Sequence, residues 1–375
     1  MTRGREWKVS TMALNIKKVP GKSTTVGVAD LLKQFQKDKG EKVGSFGGAL
    51  VNSDRIPTGI FPLDLALGGG IPRGKCTIIY GPESSNKTNI ALLAITQHQR
   101  LFPHLFCVFF DIENSFDPAW ARLLGVDTDK LLVISPDYAE QAVDMVESFL
   151  YADDCGMVVI DSLAALVTTS ELEASAERAN VGGASLVIGK LTRKTNVALA
   201  AAAKKELYPT LVYINQISYK IGVMFGDPET MPGGKKPLFQ ASLILRCYGK
   251  NKMDPKVSSV MPVLKEVSFI LKKWKVPVLA ASGKFEMATM AYDGLQIGQC
   301  DDMNTVSAYL KSFGQFEKAD KGKGWIICGE PYATIPPFTT KLYTDPAFGA
   351  QVRSSIITRM IASGNMLGET GEVAA

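Results

Sequence analysis

The sequence predicts an α/β fold with a largely parallel central sheet, and three observations carry that expectation. From about Ile56 to Met290, apolar runs of strand length alternate with longer segments of helical pattern. The stretch GPESSNKTN, Gly81 to Asn89, falls between one such run and one such helix. Three acidic residues, Asp111, Glu113 and Asp161, stand at or just past the ends of two further runs.

Taken in order, the chain opens with about 50 polar residues rich in Lys and Gly. Within them VADLLKQFQK places Val28, Leu31, Leu32 and Phe35 on one helical face. That face could dock on its own domain or on a neighbouring subunit. VGSFGGAL then reads as a Gly-rich linker. The strand candidates that follow are CTIIYG, LFCVFFD, LLVIS, MVVIDS, TLVYINQ, SLILRCYG and VSFILKKWKV. Between them ALLAITQHQR, AEQAVDMVESFLY and NVALAAAAKKEL read as helices. Beyond about Tyr292, short segments rich in Gly, Pro and aromatics precede a closing helix, FGAQVRSSIITRMIASGN, the pattern of a small α+β C-terminal domain. The expected division is therefore 1–50, 51–290 and 291–375.

A chain of 375 residues with 46% hydrophobic content buries one large core with smaller appendages. Its longest apolar runs are strand-sized, which predicts no membrane span. The basic N-terminus lacks a continuous apolar region followed by a small-residue cleavage site, so a cytoplasmic location is expected. Six scattered cysteines, without C-x-x-C spacing, predict neither disulfides nor a zinc site. His98 and His104 have no acidic or cysteine cluster around them and receive no role. A net charge of +5 with pI about 8.7 permits nucleic-acid binding without demonstrating it.

GPESSNKTN departs from G-x-x-x-x-G-K-[ST] only at Asn86, where the second glycine is usual. Successive backbone N–H groups and the positive end of a helix would converge on a phosphate there. Lys87 adds a charge and Thr88 a hydroxyl for Mg²⁺. The loop needs an unhindered, left-handed backbone at position 86, and asparagine tolerates that conformation best after glycine. Asp161 at the end of MVVID suits the metal-holding acid, through Thr88 or water. Glu113, two residues past Asp111, is the candidate for activating an attacking water.

At these residues the sequence resembles the RecA family of homologous-recombination ATPases. The matching segments are IPTGIFPLDLALGGGIPRGKCTIIYGPESSNKT, FFDIENSFDPAWARLLGVD, VVIDSLAAL and INQISYKIGVMFGDPETMPGGK, over roughly Ile56 to Pro277. GWIICGE and the closing helix look more like the bacteriophage branch of these strand-exchange proteins, which also tolerates a non-glycine residue at the position of Asn86. The resemblance implies a RecA-type P-loop ATPase core that uses ATP and Mg²⁺. It implies a homo-oligomeric helical filament on single-stranded DNA and pairing with homologous duplex DNA, with single-strand-binding and loader proteins as candidate partners. Residues 1–50 would then serve oligomerisation.

Position by position, the resemblance makes Gly81, Pro82, Glu83, Ser84, Ser85, Asn86, Lys87, Thr88 and Asn89 the phosphate loop. Thr88 and Asp161 would hold the metal, and Glu113 would be the catalytic glutamate. Asp117 and Trp120 match positions that meet the adenine, and an indole face there could stack on the base or lie buried. Gln216 matches the glutamine that senses the γ-phosphate. Lys273 and Lys275 match the pair that reaches the ATP of the adjacent subunit; the plain alternative is an edge strand carrying lysines against aggregation. Phe239 matches a subunit-interface position and could equally be core.

The segment Ile217 to Gly234 matches the second DNA-binding loop. Lys220, Ile221, Gly222, Val223, Met224, Phe225, Gly233 and Gly234 give it flexible ends and apolar wedges able to slip between bases. SELEASAERANVGGAS would be the first DNA-binding loop, leading into a helix whose Arg193 and Lys194 match phosphate contacts. Here the chain departs from the family: Leu186 replaces an arginine, and Glu171, Glu173 and Glu177 make the loop acidic. Two other readings stay open, a RecA-fold ring helicase or regulatory ATPase, and a filament scaffold that binds ATP without hydrolysing it.

Overall fold

The computed structural model describes residues 28–39, 54–174, 183–219, 229–319 and 323–364. Two compact units divide the chain, Met1–Val51 and Asn52–Ala375. In the first, helix α1 (Val28–Lys39) leaves Val28, Leu31 and Phe35 exposed.

The second unit is built on a nine-stranded sheet. Its strands are β1 (Cys76–Gly81), β2 (Phe106–Asp111), β3 (Leu131–Ile134), β4 (Cys155–Asp161), β5 (Thr210–Gln216), β6 (Leu243–Lys252), β7 (Leu264–Trp274), β8 (Ser282–Ala288) and β9 (Cys300–Asp301). They lie in the order β9-β8-β7-β6-β1-β5-β4-β2-β3. The six strands from β6 to β3 run parallel, and β7, β8 and β9 extend that sheet antiparallel.

The helices are α2 (Phe61–Ala66), α3 (Lys87–Leu101), α4 (Pro118–Leu123), α5 (Ala139–Leu150), α6 (Thr169–Leu172), α7 (Gly183–Lys204), α8 (Lys235–Gln240), α9 (Met303–Ser312), α10 (Pro336–Thr344) and α11 (Pro346–Ala362). Alternate residues of the central strands feed two separate cores, as the two-residue period of a strand requires. Ile79, Phe109, Val159, Val212 and Ile214 pack with Ile90 to Ile95 of α3 on one face. Ile78, Val108, Phe110, Val158, Ile160 and Tyr213 pack with α5 and α7 on the other. Cover on both faces explains the near-continuous apolar runs, each fully buried Ile or Val contributing about 1.5–3 kcal/mol.

The structure differs from the sequence reading in three places. β8 was not anticipated, although its Phe285 and Met287 are buried and Lys284 is exposed, because a Ser-Gly start and a short alternation hide the pattern. α7 begins at Gly183, well before the alanine-rich stretch. β7, which carries Lys273, lies between β6 and β8, so its lysines do not guard an edge.

After β9 the chain forms α9, a three-stranded antiparallel sheet (β10 Phe316–Lys318, β11 Trp325–Ile327, β12 Glu330–Tyr332), α10 and α11. Their core of Val306, Leu310, Phe316, Ile327, Phe338 and Leu342 is closed by Phe61 and Leu65 of α2. All six cysteines are free thiols. His98 is buried beside Cys107, and burial pulls its pKa down to about 4, so it serves packing as a neutral ring. Among the described residues no helix is long and apolar enough to cross a membrane.

Candidate functional site

Four neighbouring parallel strands end along one edge of the sheet. In the order β1, β5, β4, β2 their last residues are Gly81, Gln216, Asp161 and Asp111, with Gly81 paired to Gln216 and Asp111 to Asp161. The carboxyl ends of such strands are where an open α/β sheet binds its ligands.

The phosphate loop runs from β1 into α3. Gly81 has no room for a side chain, since a Cβ there would lie 2.2 Å from Cys247 O and 2.6 Å from Ser85 Oγ. Asn86 takes φ 73° and ψ 16°, the left-handed backbone that a second glycine would supply. Ser84, also left-handed at φ 56°, turns its carbonyl toward β6 and β7. Lys265 of β7 donates to Ser84 O at 3.0 Å, and a Cβ on Gly249 of β6 would lie 2.6 Å from that same oxygen. Nothing local in the sequence signals Lys265, which reaches the loop from 181 positions away.

Lys87 Nζ donates to Pro82 O at 2.7 Å and Gly81 O at 3.1 Å, within the loop itself. Burial pulls its pKa down, and the negative charges of Asp161 and Glu113 oppose that. Thr88 Oγ1 donates to Asp161 Oδ2 at 2.5 Å. Burial pushes the Asp161 carboxyl up to about 6, against the Thr88 hydrogen bond, and the charge of Glu113 adds to the push. A hydroxyl and a carboxylate side by side are all-oxygen donors that suit Mg²⁺ shared with phosphates, and a cation there would hold Asp161 ionised. The loop and this donor pair therefore fit a magnesium nucleotide.

Asp111 serves the turn after β2, accepting from Ser115 N and Phe116 N at 3.0 Å each. Glu113 Oε1 accepts from Ser162 Oγ at 2.5 Å and from Gln216 Nε2 at 3.0 Å. The sequence signals Ser162 only by its place beside Asp161. Asp117 caps α4 by accepting from Ala119 N at 2.7 Å and Trp120 N at 3.2 Å. Trp120, packed in part against the core, donates its indole N–H to Asn89 Oδ1 at 2.9 Å.

Of the expected DNA contacts, Lys220, Ile221, Gly222, Val223, Met224 and Phe225 lie outside the described residues, as does Glu177. The ends of their segment are firmly held. Ser218–Tyr219 pairs with Glu229–Thr230, and Glu229 forms an ion pair with Arg246 of β6 (Nε to Oε1 2.7 Å). Gly233 and Gly234 have φ of 92° and 68°, and a Cβ on Gly233 would lie 2.7 Å from Ile188 Cγ2 of α7. On α7, Arg193 and Leu186 are exposed, whereas Lys194 forms ion pairs with Asp144 (2.8 Å) and Glu147 of α5. Glu171 and Glu173 are exposed. Lys273 Nζ donates to Leu238 O at 2.6 Å and Phe239 O at 2.9 Å, and Lys275 Nζ to Phe239 O at 3.0 Å. Phe239 is 52% exposed.

A parallel sheet whose strand ends carry a phosphate loop, a hydroxyl–carboxylate pair and a hydrogen-bonded glutamate defines the class of P-loop nucleotide-binding folds. The RecA N-terminal domain family matches residues 22–286, and the chain belongs to the RecA family. It is 40% identical over 225 residues to Protein RecA of Symbiobacterium thermophilum, covering 60% of this chain and 62% of the relative. It is 36% identical over 300 residues to Protein RecA of Bifidobacterium breve, covering 72% and 73%. The chain thus spans less than two thirds of the length of the first of these relatives. A crystal structure of the RadB recombinase aligns with 62% of this chain and 96% of its own, at 20% identity and TM-score 0.44.

Proposed function

We propose that this chain is a DNA-dependent ATPase that assembles as a helical filament on single-stranded DNA and catalyses homologous pairing and strand exchange with duplex DNA. The observation that supports this best is the 3.0 Å hydrogen bond from Gln216 to Glu113. It joins the residue suited to activating water to the residue that opens the segment Ile217 to Gly234. Contact of that segment with DNA and activation of water therefore share one side-chain connection.

The loop amides and Lys87 would hold the triphosphate, and Thr88 and Asp161 the magnesium ion. When bound, that nucleotide supplies the phosphoryl group whose hydrolysis releases the filament. Glu113 holds two donors on Oε1 and so keeps Oε2 to take a proton from water. Trp120, on a helix capped by Asp117, would stack its indole face on the base. Lys273 and Lys275 would exchange the carbonyls of Leu238 and Phe239 for the phosphates of a neighbouring subunit, so hydrolysis would require assembly. The exposed apolar face of α1 gives residues 1–50 a means of docking on that neighbour. Stacking and backbone contact by Lys220 to Phe225, with Gly233 and Gly234 giving the left-handed turn that closes the segment, would accept any sequence and leave specificity to base pairing. All of this suits a cytoplasmic protein.

Arg193 and Lys194 separate in the resulting expectations. Arg193→Ala should weaken single-stranded DNA binding about three- to tenfold and lower the salt slope by about 0.7, as loss of one phosphate contact does. Lys194→Ala should change affinity by less than about twofold, because Asp144 and Glu147 already neutralise that ammonium. Fluorescence anisotropy at several salt concentrations checks both. The function itself is tested by electron microscopy with ATP and single-stranded DNA. Helical filaments are expected, and closed rings without filaments would overturn the reading in favour of a ring motor.

A further inference from the structure

One hydrogen-bonded chain crosses the candidate site from α4 to β8. The indole N–H of Trp120 donates to Asn89 Oδ1 at 2.9 Å, Asn89 Nδ2 donates to Asn86 Oδ1 at 2.8 Å, and Asn86 Nδ2 donates to Met287 Sδ at 3.5 Å. An indole nitrogen can only donate, and a thioether sulfur can only accept. The two ends therefore fix both amides. Turning either one over would set donor against donor or acceptor against acceptor.

The middle link is the residue that departs from the phosphate-loop pattern. A glycine at position 86 would allow the same left-handed backbone, but it would leave Asn89 without its partner in the loop. Asn86 is buried and left-handed, so its side chain leaves the loop in a direction set by the loop backbone. Its amide meets Met287, itself buried in the core that also receives α3. The loop is thus tied on one side to the sheet and on the other to the aromatic residue of α4.

We propose that Asn86 and Asn89 are positioning residues that lock the Trp120 indole to the phosphate loop, so that the site holds the base and the phosphates of a nucleotide as one unit. This rests on the reading above that a nucleoside triphosphate occupies the loop. Movement of the indole is felt by the loop, and the reverse, even when no base is present. A tryptophan that only stacked on the base would have no such effect.

Trp120→Phe keeps an aromatic face and removes the N–H, while Asn86→Gly removes the link and restores the usual glycine. Dissociation constants for a fluorescent ADP analogue, and for tripolyphosphate by competition, are measured on the full chain for wild type, both single variants and the double variant. Asn86→Gly alone should stay within about tenfold of wild type, because the cradle is mainly backbone. Trp120→Phe should weaken both ligands about five- to tenfold in the wild-type background, and less than about twofold when Asn86 is glycine. Asn89→Ala, which breaks the chain without touching the loop backbone, should reproduce the effect of Asn86→Gly on that coupling. Equal effects of Trp120→Phe in both backgrounds, or unchanged tripolyphosphate binding, overturn the coupling while leaving the nucleotide reading in place. ADP binding that is absent from wild type, or unaffected by Lys87→Ala, overturns the nucleotide reading and this proposal with it.

Discussion

Replacing Lys87 with alanine is expected to reduce DNA-stimulated phosphate release by at least about 10²- to 10³-fold, with the fold retained. The lysine is nearly buried, and its ammonium sits among the carbonyls of Gly81 and Pro82 at the end of β1. Burial works against its charge, and the negative charges of Asp161 and Glu113 work for it. A preorganised charge of this kind acts on the negative charge of phosphoryl transfer without further reorganisation. Alanine loses hydrogen bonds to two loop carbonyls but also relieves the cost of a buried cation, so the two effects on stability oppose each other. Phosphate release with and without single-stranded DNA, beside a thermal melt, tests this. Turnover within about tenfold of wild type in a folded variant would mean that GPESSNKTN is not the cradle.

Much of this site was legible because its parts are local. A phosphate loop is a strand, a turn and a helix start in one stretch of sequence, and its main-chain chemistry survives a change of side chain. A left-handed backbone at position 86 follows from local sterics alone, and the loop has that conformation. Asp161 and Glu113 were visible because an acidic residue closing an apolar run is conspicuous. Which strands would lie side by side was not visible, since parallel order is set by crossovers and not by the runs themselves.

Side-chain partners that depend on packing were hidden for the same reason. Lys194 looks on the sequence like a free cation on a solvated helix, but α5 brings Asp144 and Glu147 to it. Lys265 looks like a strand charge, but the bend of Ser84 brings a carbonyl within 3.0 Å. On the sequence, Asn86 is a residue that the backbone tolerates. Its side chain, bonded to Asn89 and Met287, gives it a second use that no spacing rule could show. Asp111 closes β2 as Asp161 closes β4, yet both its oxygens hold the turn at Ser115 and Phe116.

Glu113→Gln should separate hydrolysis from assembly. Glutamine is nearly isosteric, and its carbonyl oxygen can still accept from Ser162 Oγ and Gln216 Nε2, so the connection to the segment after β5 persists. The amide cannot accept a proton from water as the carboxylate does, and loss of a positioned general base costs about 10²- to 10⁴-fold. Nucleotide and DNA affinities should stay within about threefold, because neither the loop amides nor Lys87 are altered. Removing one negative charge beside Asp161 also removes part of what pushes that carboxyl up, which favours its ionised form. The measurements are single-turnover hydrolysis and filament formation on single-stranded DNA by electron microscopy. Stable filaments with hydrolysis abolished would place the chemistry at Glu113 and leave DNA binding elsewhere. Hydrolysis within tenfold of wild type would shift the base to another residue, and loss of both filaments and hydrolysis would make the Glu113–Gln216 contact a structural brace for the segment after β5, not a route between two activities.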